Sequence, residues 1–152
     1  MTELGFYHLE HSTLERALPK LLEKVVERGY RAVVLAPSEE RVEALNTLLW
    51  TYQQRSFLAH GSARDSHAAE QPIYLTTKGE NPNGASVLIL IDGAEYDGSA
   101  TFERCLLLFD GKDEAAVEGA RQRWRTARDV GHEVVYWKQT QEGRWQQVGA
   151  AT

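Results

Sequence analysis

Three short apolar runs, Ile73 to Thr76, Val87 to Ile91 and Cys105 to Phe109, most constrain what this chain can fold into. A run of this kind offers no polar face, so it belongs to a strand buried on both sides of a sheet. Such a sheet needs helices over both faces. The intervening segments have the patterns to supply them. Gly5 to Leu9 reads as a first strand, and Ser12 with Glu15 has capping-box form at a helix entry. Leu14, Leu18, Leu21, Leu22 and Val25 then recur at helical spacing, with Gly29 as the stop. Pro19 either kinks this helix or opens its main part. Arg31 to Ala36 is a second strand, and after Pro37-Ser38 an apolar stripe of Val42, Leu45, Leu48 and Leu49 marks a second helix.

Asp113 to Val130 reads as the last helix, closed by Gly131, and Glu133 to Gln139 with Arg144 to Val148 as a hairpin across Glu142-Gly143. The stretch 77–86 is too short and turn-rich for a crossover helix, so the strands on either side of it pair antiparallel or lie apart. The expected fold is α/β: a single three-layer Rossmann-like domain over residues 1–152 with a mostly parallel central sheet that tolerates mixed directions. Residues 138–152 form a terminal extension or hairpin to which the sequence assigns no role.

At 152 residues and 42% hydrophobic content the chain can bury a sizeable core. Its one cysteine, Cys105, sits inside an apolar run, so it neither staples the fold nor supplies a cysteine metal cluster, which fits a reducing cytoplasm. The first twenty residues include His8, Glu10, His11, Glu15 and Arg16 and lack the apolar core of a signal sequence. No window approaches the ~18 apolar residues of a membrane span. A cytoplasmic location without membrane contact is therefore the expectation. With a net charge of −5 the chain as a whole repels phosphate backbones, so a protein partner is a better default than nucleic acid.

A sheet of this kind invites comparison with nucleotide enzymes. Phosphate binding at a strand-to-helix turn wants glycines, so that backbone N–H groups can approach the anion. The first turn, Glu10-His11-Ser12-Thr13, and the second, Pro37-Ser38-Glu39-Glu40, contain none and carry carboxylates instead. Gly79 and Gly84 have P-loop spacing but are followed by Ala85-Ser86 without the lysine, and a nucleophile elbow is absent. His8 with His11, His60 with His67, and His132 lack a carboxylate companion at metal-ligand spacing. Asp92, Glu95 and Asp97 follow a strand end, where open α/β sheets bind ligands, but read more simply as a polar loop. No catalytic residue, cofactor or metal is expected, and a small nucleotide-binding α/β enzyme is the alternative reading.

Against this acidic background, Arg121, Arg123, Arg125 and Arg128 crowd around Trp124. At 100° per residue, Val117, Ala120, Trp124 and Ala127 form the stripe that faces the sheet. Arg121, Arg125 and Arg128 lie together beside it, and Arg123 falls on the other flank. Guanidinium forks beside an aromatic wall suit an extended acidic peptide with an apolar anchor. The competing reading is a solvated face whose arginines pair with Asp113, Glu114, Glu118 and Asp129. A second constellation, Trp50, Tyr52, Phe57 and Leu58, places large apolar surface at a helix end and loop, in the manner of a protein interface or of ordinary core.

Several of these residues fall in a recognisable order: Gly5-Phe6-Tyr7-His8-Leu9, Leu49-Trp50-Thr51, Ser56-Phe57-Leu58-Ala59-His60-Gly61, Gln71-Pro72-Ile73, Ala120-Arg121-Gln122-Arg123-Trp124, Gly131 and Tyr136-Trp137. In order and spacing, from about Gly5 to Trp145, they resemble the chi subunit of bacterial DNA polymerase III holoenzyme. The resemblance implies a non-catalytic adaptor in DNA replication, part of a DNA-directed DNA polymerase assembly and reaching DNA only indirectly. One surface would hold the psi subunit of the clamp-loader complex, and another the acidic C-terminal tail of single-stranded DNA-binding protein.

Carried over residue by residue, the resemblance puts Arg121 at the tail-gripping arginine and Trp124 at its aromatic wall, and Trp50, Phe57 and Leu58 in the psi-docking region. Val117 stands where some relatives have a second basic residue, so the clamp uses Arg125 or Arg128 instead, or is weaker. Ala59 replaces a frequent proline before His60. The resemblance leaves the same docking surface open to a helicase as well.

Overall fold

The computed structural model describes residues 3–51, 60–62, 70–78, 80–94, 102–142 and 144–148. In chain order these form β1 (Glu3–Leu9), α1 (Leu14–Glu27), β2 (Ala32–Leu35), α2 (Glu39–Thr51), β3 (His60–Ser62), β4 (Ile73–Thr76), β5 (Val87–Leu90), β6 (Arg104–Asp110), α3 (Glu114–Val130), β7 (Glu133–Gln139) and β8 (Trp145–Gln147). The strands make one sheet in the order β3-β4-β2-β5-β6-β1-β7-β8. All described pairings are parallel except β7 with β8, which is the antiparallel hairpin expected at the end of the chain.

The apolar runs do become strands covered on both faces, and alternation explains why they lack a polar side. Val34, Leu75, Ile89, Leu106 and Leu108 pack with α1 and α2 on one face, while Val33, Tyr74, Leu88, Leu107 and Phe109 belong to the second cluster with Ala120 and Ala127 of α3. The result is the three-layer α/β arrangement. β4 and β5 lie apart. Both pair in parallel with β2, which sits between them, so the antiparallel option for the segment 77–86 is excluded.

One local expectation is overturned. Ser12 and Glu15 do not form a capping box: the N-cap is Thr13, and the Ser12 hydroxyl accepts instead from Gln139 Nε2 at 2.6 Å. Pro19 is buried inside a helix that runs on to Glu27. The short edge strand β3 has no hydrophobic pattern to announce it; it forms by pairing with β4. By contrast α3 begins and ends as read. The Asp113 carboxylate accepts from the N–H groups of Ala115 and Ala116, and Gly131 closes the helix at φ 96°, a conformation glycine adopts without strain.

One close approach decides the geometry beside the site. A Cβ at Gly111 would lie 2.0 Å from His8 Nε2 and 2.6 Å from the Leu9 carbonyl, whereas one at Gly119, on the exposed side of α3, would meet nothing within 4 Å. Gly111→Ala should therefore cost about 2–3 kcal/mol by overpacking, and Gly119→Ala should add about 0.5–1 kcal/mol through helix propensity. Denaturant unfolding of the two variants checks both signs.

Candidate acidic-peptide site

Helix α3 lies against the sheet through small residues. Ala120 and Ala127 are buried, which lets the helix approach closely, and Trp124 between them is only partly buried. Its indole packs edge-on against Phe6 of β1 (5.4 Å, 65°) and Tyr136 of β7 (5.7 Å, 74°). Val117 packs against the same cluster, so an apolar side chain occupies that turn of the helix. The stripe read from the sequence is thus the inward face.

The arginines divide as the helical geometry required. Arg123 turns to the far flank, where its guanidinium donates to the Gly93 carbonyl at 3.2 Å. Arg121, Arg125 and Arg128 are exposed on the other side. Among the described residues these three form no hydrogen bond or ion pair, and the anticipated pairs with Asp113, Glu114, Glu118 and Asp129 are not made. Asp113 is already engaged in capping the helix. A cleft of about 1250 Å³ opens on the Arg123 side, and among the described residues its lining contains none of the other three arginines.

The neighbours of Arg121 come from the sheet. Because β1 pairs with β7, His8 and Tyr136 meet across the strands, and His8 Nδ1 and the Tyr136 hydroxyl share a hydrogen bond of 2.6 Å. The imidazole also stacks at a tilt on Phe109 (5.0 Å). Its other nitrogen stands 3.6 Å from Glu10, which is in turn 3.5 Å from Lys138 Nζ and 3.9 Å from His11. Burial pushes the His8 pKa below its ordinary value; Glu10 and Asp110 oppose the shift, and Lys138 and Arg121 reinforce it. Burial likewise raises the Tyr136 pKa, against the pull of Arg121. Arg121 therefore acts electrostatically on both members of the pair.

The remaining sequence candidates are placed differently. Trp50 is 56% exposed at the end of α2, its ring 5.0 Å from that of His60; Phe57 and Leu58 lie outside the described residues. Asp92 is bound to Arg41, which also donates to Glu15 at 2.7 Å, so it serves a link between α1, α2 and the end of β5; Glu95 and Asp97 lie outside the described residues. No group of three or more His, Cys, Asp or Glu side chains among the described residues could hold a metal ion.

The turn after β1, where a phosphate would sit in a nucleotide-binding relative of this architecture, is occupied by the chain itself. Gln139 Oε1 accepts from the N–H groups of Glu10, His11 and Ser12 at 3.3, 2.9 and 3.0 Å. His8, Tyr136, Lys138 and Gln139 were not singled out as a group by sequence. The alternation of β7 does put Tyr136 and Lys138 on one face, but only the β1–β7 pairing brings that face to His8 and Arg121.

The family model described as "DNA polymerase III chi subunit, HolC" matches residues 1–135. A "Probable DNA polymerase III subunit chi" from Rickettsia prowazekii (strain Madrid E) is 38% identical over 91 residues, covering 60% of this chain and 55% of that relative. The chain thus spans about 55% of the length of the curated relative it matches. The family match ends within β7, so the hairpin strand β8 lies beyond it.

His8 supplies a pH test of this geometry. Its folded pKa lies below the ~6.5 of an unfolded histidine, so its contribution to stability is fully present above that value and is lost as pH falls through the folded pKa. The melting temperature should drop between about pH 7.5 and 5.5, above the carboxylate range, and drop less for His8→Gln. Equal slopes in the two proteins would exclude His8 as the responsible group.

Proposed function

This chain belongs to the DNA polymerase III chi subunit family, and from that premise we propose that it is a non-catalytic adaptor between the clamp loader and coated single-stranded DNA. One surface binds the acidic C-terminal tail of single-stranded DNA-binding protein; the other docks the psi subunit. The observation that carries the reading is the face of α3: three exposed arginines without hydrogen bonds or ion pairs among the described residues, beside a partly buried tryptophan, in a chain of net charge −5. Acidic side chains and a terminal carboxylate would gain charge-assisted bonds at Arg121, with Arg125 and Arg128 as further cations. Trp124 offers an apolar wall to a terminal aromatic residue.

Contacts of this kind are weak in salt and reversible. Several tails presented by one coated strand, with the adaptor held to the polymerase assembly through psi, raise the effective concentration enough for useful tethering. The psi-docking reading draws on Trp50, an exposed aromatic at the end of α2, and on the resemblance at Phe57 and Leu58. The nucleotide-enzyme alternative loses support from Gln139, whose carboxamide already takes the three N–H donors that a phosphate would need.

Titration with a tail peptide should give affinity about tenfold or more weaker for Arg121→Ala than for the wild type, the loss expected of a hydrogen bond to a charged group; equal affinity would sink the site. Raising salt should weaken the wild-type complex. Co-purification with psi should fail for Phe57→Ala while the melting temperature is retained, and unchanged recovery of psi would remove that docking surface.

A further inference from the structure

Four charged side chains from four parts of the fold act on His8: Glu10 from the turn after β1, Asp110 from the end of β6, Arg121 from α3 and Lys138 from β7. Two of them touch. Glu10 lies 3.5 Å from Lys138 and 3.6 Å from His8 Nε2, and both partners of the Lys138 pair reach solvent, with 47% and 32% of their side chains exposed. Tyr136, two residues before Lys138 on the same face of β7, lies between this pair and the helix: its ring rests against Trp124 and its hydroxyl on His8. A peptide gripped at Arg121 and laid over Tyr136 meets Lys138 next.

We propose that the acidic-peptide site continues from α3 onto the sheet, with Lys138 as a cation outside the helix, and that the Glu10 carboxylate occupies this extension until a peptide carboxylate displaces it. The inference rests on the acidic-peptide reading of Arg121. It gives the site a cation on the side of Arg121 away from Arg125 and Arg128, although the helix turn before Arg121 carries Val117, packed on the core. The exchange is chemically even, one carboxylate for another at the same ammonium group. An ion pair this exposed is held weakly, so an incoming carboxylate that is also anchored at Arg121 and Trp124 has the advantage. Glu10 released from Lys138 keeps His8 and His11 within 4 Å. The extension selects peptides with more than one acidic residue.

The test is fluorescence titration of the full chain with two synthetic peptides that end in the same free aromatic residue, one carrying three aspartates and the other a single aspartate. Lys138→Gln should weaken the triple-aspartate peptide about threefold to fivefold and leave the single-aspartate peptide unchanged, while Glu10→Gln should tighten the triple-aspartate peptide by about the same factor. Lys138→Arg should bind as the wild type, which separates the charge from any effect on folding. If Arg121→Ala loses binding but Lys138→Gln and Glu10→Gln bind both peptides like the wild type, the extension is wrong and the helix site stands. If Arg121→Ala also binds normally, the underlying peptide reading falls with it.

Discussion

Strand β1 is held in register from both sides, parallel to β6 on one edge and to β7 on the other, and the candidate site depends on that arrangement. With both edges paired, its alternation assigns each side chain to a face. Leu9 goes to the layer of α1 and α2, while Phe6 joins the cluster under α3 and His8 meets Tyr136. A slip of one residue would exchange the faces, taking Phe6 from beneath Trp124 and His8 from Tyr136. Gln139 closes the same region: its side chain ties the end of β7 to the turn that follows β1, through three backbone donors and the Ser12 hydroxyl. The missing side chain at Gly111 leaves room for the imidazole. The candidate site is therefore a product of strand pairing as much as of the helix that carries its arginines.

Electrostatics explain why a basic face survives on an acidic chain. Pairs between an exposed arginine and a carboxylate one turn away add only about 0.3–0.5 kcal/mol, so α3 gains little by neutralising Arg121, Arg125 and Arg128 internally. Asp113 contributes more by capping the helix, where its carboxylate satisfies backbone donors. Arg123, on the opposite flank, is bound to the Gly93 carbonyl. The division of one arginine cluster into a side that makes structure and a side left exposed follows from helical geometry and from which strands lie under the helix.

Much of the scaffold was legible. The buried strands announced themselves by unbroken apolar runs, α3 by its aspartate cap, its glycine stop and its inward stripe, and the closing hairpin by two strand patterns around a turn. What local pattern could not show was pairing. β3, with the sequence His60-Gly61-Ser62, carries no strand signal of its own and exists because β4 offers it an edge. β4 and β5, neighbours in sequence, are separated by β2 because a parallel sheet is ordered by its long connections. The expected Ser12–Glu15 capping box lost to a partner 127 residues away, since Gln139 satisfies more of the turn than either local side chain does.

By itself, then, the sequence determined the α/β class, the positions of the helices and most strands, and the separation of Arg121, Arg125 and Arg128 from Arg123, because those follow from periodicities of two and 3.6 residues. Only the tertiary structure decided that His8 and Tyr136 come within electrostatic reach of Arg121, with Lys138 on the far side of His8. That choice depends on β7 pairing with β1 across more than a hundred residues of chain, a long-range contact that no local pattern encodes.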